Sequence, residues 1–243
     1  SAALVWRMTS GVVDISTAGD GVGGLGLTCA VTSAGAVKCW GNNMYGQLGD
    51  GTTTSRTVAT QVTGLTSGFT QVSVSVGNVC ALNNSGKAYC WGDYTVGQLS
   101  NNIGGFIFNP KDVNSMSSQV SSVSVGAHFS CGIKNGSAYC WGTNGSGQLG
   151  NGNNTIQGSP VQVSGLTSGV TQIATDSDSY YSNRHACAIH NGAVKCWGDN
   201  SYGQLGNGTT GGTSNVPVQV SGLTSGAAYV AVSLWHTCAV MSA

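Results

Sequence analysis

Nine cysteines, eight aspartates and four histidines are the residues of this 243-residue chain with the most chemistry in them. Eight of the cysteines form four short-range pairs, Cys29 with Cys39, Cys80 with Cys90, Cys131 with Cys140, and Cys187 with Cys196. Each pair brackets one turn, such as Ser33-Ala34-Gly35, so folding the hairpin brings two sulfurs onto neighbouring strands. A disulfide closing so short a loop contributes roughly 2–3 kcal/mol, less any strain. The competing reading is buried thiols serving as small core residues. Zinc is disfavoured, because structural sites prefer two to four residues between paired cysteines. Cys238 has no partner at that spacing and is expected to be a free thiol or an intermolecular link.

Catalysis finds little to work with. All eight acidic residues are aspartate and none is glutamate, so acid–base chemistry would fall to aspartate and histidine. His185 and His236 each lie two residues before a cysteine and His128 three before, and such repetition points to a structural hydrogen bond. No serine sits in a nucleophile-elbow setting. Gly21-Val22-Gly23-Gly24-Leu25-Gly26 matches Gly-x-Gly-x-x-Gly but lies between two strand patterns with no helix to follow, so the dinucleotide reading fails. Asp176 and Asp178 offer a weak calcium site without the glycine and distal glutamate of the helix-flanked loop. Neither a cofactor nor a bound metal is expected.

The cysteine pairs belong to something larger. Cys-Trp-Gly recurs at Cys39-Trp40-Gly41, Cys90-Trp91-Gly92, Cys140-Trp141-Gly142 and Cys196-Trp197-Gly198, and a fifth copy begins at Trp235-His236-Thr237-Cys238. The first cysteines step by 51, 51, 56 and 51 residues. A period near 50 means one supersecondary unit repeated, each needing its neighbours to bury an apolar face. Within a unit, Val161-Gln162-Val163 and Val170 to Ala174 alternate apolar and polar, Ala186 to Ile189 follows and Ala193 to Trp197 runs back, and Asn-Gly and Ser-Gly turns separate such runs. Period-two runs of this length are strands and hairpins, and no helical period persists. Four short antiparallel strands per unit give an all-β propeller blade, and the whole of 1–243 reads as one propeller domain. Its repeat cores are 29–41, 80–92, 131–142 and 187–198, with a partial one at 235–243 completed by 1–8.

Only 7% of residues are charged and the formal net charge is zero. Such a surface argues against nucleic acid and against an anionic membrane. No apolar run reaches the roughly 20 residues of a spanning helix, so membrane insertion is not expected. Paired cysteines suggest an oxidising compartment, hence a secreted protein, and Ser1 in place of Met suggests a processed or trimmed form. The five Asn-x-Ser/Thr sequons, at Asn83, Asn135, Asn144, Asn153 and Asn207, carry little weight in a chain so rich in Asn-Gly turns.

Tyr45-Gly46-Gln47-Leu48-Gly49 follows Trp40-Gly41-Asn42, Gly147-Gln148-Leu149-Gly150 follows Trp141-Gly142-Thr143-Asn144, and Tyr202-Gly203-Gln204-Leu205-Gly206 follows Trp197-Gly198-Asp199-Asn200. With His236-Thr237-Cys238-Ala239-Val240, these motifs resemble the regulator of chromosome condensation repeat family over essentially the whole chain. The second copy departs, with Gly97-Gln98-Leu99-Ser100. The resemblance implies a β-propeller, usually of seven blades, acting as a protein-binding platform rather than an enzyme. Seven units of this length would need roughly 360 residues. The simplest expectation is therefore a five-bladed ring closed by Leu4, Val5 and Trp6, which stand beside Cys238 where a Cys-Trp strand is wanting. The alternative is an open arc whose strand comes from a neighbouring subunit, giving a filament.

Three segments break register and are candidate binding loops: Thr17 to Gly26, Ser100 to Pro110 and Asp176 to Arg184. Ile103, Phe106, Ile107 and Phe108 in the second, and Tyr180, Tyr181 and Arg184 in the third, are the candidate partner contacts. The recurring tryptophans and the Gly-Gln-Leu-Gly loops read as structural. The functional expectation is a non-catalytic extracellular propeller, either a protein-interaction module or a structural subunit of a cell-surface assembly. A glycan-binding lectin is the alternative, and an exchange factor for a small GTPase a further one.

Overall fold

The computed structural model describes residues 11–19, 26–95, 105–177 and 184–242. Leu4, Val5, Trp6, Ile103, Asp178, Tyr180 and Tyr181 lie outside the described residues. Among the described residues, eighteen strands form five antiparallel sheets. Blade 1 is β1 (Val12–Ala18), β2 (Leu27–Thr32), β3 (Val37–Gly41) and β4 (Arg56–Gln61). Blade 2 is β5 (Phe69–Val74), β6 (Asn78–Asn83), β7 (Ala88–Asp93) and β8 (Phe106–Asp112). Blade 3 is β9 (Val120–Val125), β10 (Phe129–Lys134), β11 (Ser137–Gly142) and β12 (Gln157–Gln162), and blade 4 is β13 (Val170–Thr175), β14 (His185–His190), β15 (Ala193–Asp199) and β16 (Thr213–Gln219). The last sheet has two strands, β17 (Ala227–Ser233) and β18 (His236–Met241).

Blade and sequence unit are offset by one strand. Val161-Gln162-Val163 reads as the opening of the fourth unit, yet Val161 and Gln162 end β12 at the outer edge of blade 3. The Gly165-to-Gly169 turn then returns the chain to the centre, tied by Ala138 N–H to Leu166 O at 2.9 Å.

All four cysteine pairs are disulfides joining directly opposed residues of the second and third strands of a blade. Cys238, on β18, is free and exposed. The sulfurs sit in the apolar layers between blades, with Phe69, Val72 and Val74 of β5 packing on Leu27, Cys29 and Val31 of β2. Alternation decides this, since every second residue of an inner strand faces the blade before it. The glycine of each Cys-Trp-Gly adopts a positive φ, from 103° at Gly92 to 110° at Gly41 and Gly142. A Cβ at any of the four would strike the carbonyl of Gly26, Gly77, His128 or Arg184 on the neighbouring strand, so only glycine fits.

The inner strands are laced together by side chains. Gln71 of β5 accepts from Val123 N–H at 3.1 Å and donates to Val123 O at 3.2 Å, and Gln172 of β13 does the same to Val230, at 2.7 and 3.0 Å. Asp14 of β1 accepts from Val72 N–H at 2.7 Å. The innermost edge of a blade has no further strand to pair with, and these amides and carboxylate satisfy it.

Gly92→Ala is expected to cost well over about 1 kcal/mol, because positive φ and a backbone clash add. Gly64→Ala has a similar φ of 77° but open space around it, and should cost far less. Thermal melts of the two variants decide: equal losses would mean that the close approach at Gly92 carries no weight.

Candidate interaction face

In every complete blade the first-to-second and third-to-fourth strand connections leave on one face, and the tight Asn-Gly and Ser-Gly turns leave on the other. All three register-breaking segments are connections of the first kind: they join β1 to β2, β7 to β8 and β13 to β14. The strand ends that they join therefore lie on one face.

The same face carries the Trp-Gly-x-Asn…Gly-Gln-Leu-Gly loops. Asn43 is buried and clamps its loop, donating from Nδ2 to Thr52 O at 3.0 Å and Thr54 O at 3.1 Å and accepting Leu48 N–H at 2.8 Å. Asn144 and Asn200 repeat the arrangement. Gln47 accepts Tyr45 N–H and reaches back to Asn42 Oδ1, both at 2.8 Å. The glutamine of this motif is structural, as its recurrence suggests. The asparagine, which sequence reasoning passed over, bears as much of the loop. Its signal is a fixed offset, four residues before the glutamine in Asn43, Asn144 and Asn200. Burial of Asn144 also removes one sequon from consideration.

Phe106 and Phe108 belong to β8, not to a loop, because the connection returns to the blade edge at residue 106. Phe106 is 43% exposed and stacks on Tyr45 of blade 1 with ring centroids 5.4 Å apart. Phe108 is also exposed and covers Gly46, where the ring leaves no room for a Cβ. Ile107, pointing the other way, is partly buried and touches the apolar layers on both sides of blade 2. Tyr45, Phe106 and Phe108 make an apolar ridge across the blade 1–blade 2 seam, and Met44, next to Tyr45 in the chain, is exposed. A second aromatic pair, Tyr202 and Trp235, stands at the seam between blade 4 and β18, centroids 5.7 Å apart.

Arg184 departs from its expected role as an exposed contact. It is 9% exposed, with Nη1 3.4 Å from Thr143 Oγ1 of blade 3. It holds the residue position filled by Gly77 and His128 in the preceding blades, each of whose carbonyls accepts the N–H that follows Cys-Trp-Gly. Burial lowers its pKa, and the charge of Asp176 opposes that fall. Asp176 is itself buried beside this cation, and its carbonyl accepts Ala127 N–H at 3.1 Å. Among the described residues no three His, Cys, Asp or Glu side chains cluster as metal ligands would.

Two of the four histidines, His128 and His185, are packing residues, whereas His236 is exposed. Burial pushes His128 down to about 4, reinforced by the Arg184 charge and opposed by Asp93. Burial likewise brings His185 to about 4, and its Nε2 lies 2.9 Å from Thr237 Oγ1 across the seam. Bases that weak remain neutral and unreactive near pH 7.

Comparison with known proteins follows the geometry. The model of the Regulator of chromosome condensation (RCC1) repeat matches residues 34–82, 135–177 and 191–240. The chain belongs to the RCC1 repeat family. E3 ubiquitin-protein ligase HERC2 of Homo sapiens is 31% identical over 202 residues, which is 81% of this chain and 4% of HERC2. The HERC2 of Mus musculus matches over the same share. The chain thus spans a small part of these curated relatives. Human WBSCR16 superposes on 96% of the chain and 58% of its own length, with 23% identity and a TM-score of 0.79. Prp20p of Saccharomyces cerevisiae, described with its binding to Gsp1p and histones, covers 95% of the chain and 56% of its own length, with 16% identity and a TM-score of 0.77. These likenesses establish the RCC1 propeller fold.

The two buried histidines set a pH dependence. Unfolded, they take up protons near 6.5, and folded only near 4, so stability is complete above pH 6.5 and falls as pH drops between these values. By pH 4 each should cost about 1–3 kcal/mol. His185→Gln keeps a polar group facing Thr237 without titrating there, so its melting temperature should fall less steeply over that window. Parallel curves would remove His185 from the account.

Proposed function

We propose that this RCC1-repeat propeller is a non-catalytic protein-binding module working in an oxidising, extracellular setting, with its loop face as the docking surface. One observation carries the reading. The strand ends that the three irregular connections join and the apolar ridge of Tyr45, Phe106 and Phe108, with exposed Met44 next to it in the chain, lie on one face, while the other bears the tight turns. Interfaces favour aromatic and methionine side chains held on a rigid support, and this ridge is held by two blades. Prp20p is described with protein partners, which fits a binding role for the fold. The four disulfides favour the oxidising compartment, since cytosolic thiols are kept reduced. Nothing in the ridge is built to hold a sugar through paired polar groups, so the lectin reading ranks second, and service as a subunit of a surface assembly is a special case of protein binding.

Two measurements test this. Crosslinking at the surface of the source cells, with wild type, Tyr45→Ser/Phe106→Ser and the opposite-face variant Asn84→Lys/Ser85→Lys, should recover one partner with the first and third proteins and lose at least about 1.4 kcal/mol, or tenfold, with the second. Loss only with the opposite-face variant would refute the docking surface, and glycan-array binding without a protein partner would favour the lectin. Alkylation of protein taken directly from those cells should label one thiol, Cys238. Labelling of all nine cysteines would place the chain in a reducing compartment.

A further inference from the structure

Asp93 ends β7 directly opposite Phe106 of β8, so the two side chains share one face of blade 2. Phe106 stacks on Tyr45 of blade 1. Gly77, whose carbonyl accepts Asp93 N–H at 2.9 Å, bears no side chain to separate Asp93 from Tyr45. A Cβ placed on Gly77 would stand 3.3 Å from Asp93 Cβ, 3.7 Å from Asp93 Oδ2 and 3.9 Å from Tyr45 Cδ2. Carboxylate and ring thus flank one point, and the exposed Phe106 ring extends the aromatic wall beside it.

The chain supplies this carboxylate with neutral donors only. Among the described residues Asp93 accepts a hydrogen bond from Thr95 N–H alone, at 2.8 Å, and the two ion pairs, Arg56 with Asp50 and Lys87 with Asp112, leave it out. Residues 96–104, which follow in the sequence, contain no lysine or arginine. The Asp93 charge is felt by His128 of blade 3, but burial brings that imidazole to about 4, so it stays neutral near pH 7. Asp93 is only 9% exposed, and a carboxylate so withdrawn from water is costly to hold without a cation.

We propose that Asp93, Tyr45 and Phe106 form a recognition point for an arginine side chain of the protein partner, an inference that rests on the reading of this ridge as a docking surface. A guanidinium is planar, so it can lie on the aromatic stack while its N–H edge donates to the carboxylate. Lysine offers a point charge without a plane to stack. The apolar ridge alone ranks partners by shape and area. A buried carboxylate beside it ranks them by sign as well, because an acidic side chain brought to the same point is repelled.

The probe is acetyl-leucyl-arginyl-leucine amide, titrated into the full chain and followed by the ring-proton shifts of Tyr45 and Phe106. Saturable shifts are expected, and a copy carrying citrulline, the neutral isostere of arginine, should bind at least about tenfold more weakly. Asp93→Asn keeps an acceptor for Thr95 N–H, and should bind the arginine peptide at least about tenfold more weakly than the wild type does. Equal binding of the two peptides to the wild type, or no saturable binding of either, overturns the proposal whether or not the variant folds. Crosslinking at the cell surface separates this inference from the reading beneath it. A partner lost with both Tyr45→Ser/Phe106→Ser and Asp93→Asn supports the two together. A partner lost with the first and kept with the second leaves the docking surface standing and removes the arginine.

Discussion

The seat of one blade's tryptophan in the loop of the blade before it is the contact on which the rest of the propeller depends. A buried indole needs an acceptor for its N–H, and the acceptor must be held still. Gln47 O and Gln148 O provide it for Trp91 and Trp197. Holding that carbonyl is the work of the neighbouring motif residues: Asn43 clamps the loop from inside, the Gln47 side chain ties its two ends, and Leu48 is fully buried beneath it. The repeat signature is therefore one device divided between two blades. Removing such an indole leaves a cavity of the kind that costs about 3–5 kcal/mol. The disulfide beside it fixes the strand that carries the ring, since cysteine and tryptophan are sequence neighbours.

A second constraint acts at the axis. Inner strands have an unpaired edge, and the Gln71 and Gln172 amides close it with two hydrogen bonds each to the following blade. Ser122 stands at the equivalent position of blade 3, and there Ser124 crosses instead, its Oγ accepting Thr175 N–H at 3.1 Å, beside the apolar layer of the junction. That layer is well filled, with Phe129, Ile133, Leu166 and Trp197 all buried in it. The inner and middle strands of blades 2 to 4 are thus committed on both faces. The outer strands and their connections are not, and they are where sequence departures such as Phe106–Asp112 can be accommodated.

Much of this was legible beforehand for a physical reason. Strand positions follow from period-two alternation, and the disulfide pairs are residues directly opposed across a hairpin, so turn and spacing fix them together. What escaped the sequence was ownership and direction. The strand before each Gly-Leu-Thr-Ser-Gly turn belongs to the previous blade, because the turn spans from rim to axis and alternation along a strand says nothing about which sheet it joins. Phe106 and Phe108 looked like loop residues because the usual Gly-Thr-Thr run is missing there, yet the outer strand forms on whatever residues follow the connection. Arg184 looked exposed because it ends an expanded segment, but its place in the repeat, directly before the core position of His185, is one that points into the seam.

The solved relatives sharpen the division between scaffold and site. At 16% and 23% identity, Prp20p and WBSCR16 still superpose on nearly the whole chain. A fold that survives replacement of about four residues in five must rest on few side chains, as the divided tryptophan device allows. Those few are buried and already engaged, so they cannot also distinguish one partner from another. Discrimination has to come from groups that the scaffold positions but does not use. On the reading proposed above, the ridge of Tyr45, Phe106 and Phe108 is such a group, and it caps a seam whose stability is secured beneath it by Trp91, Val72 and Val74. Because that deeper layer carries the fold, the ridge is free to change without endangering it, which is the physical condition for a binding surface on a repeat protein.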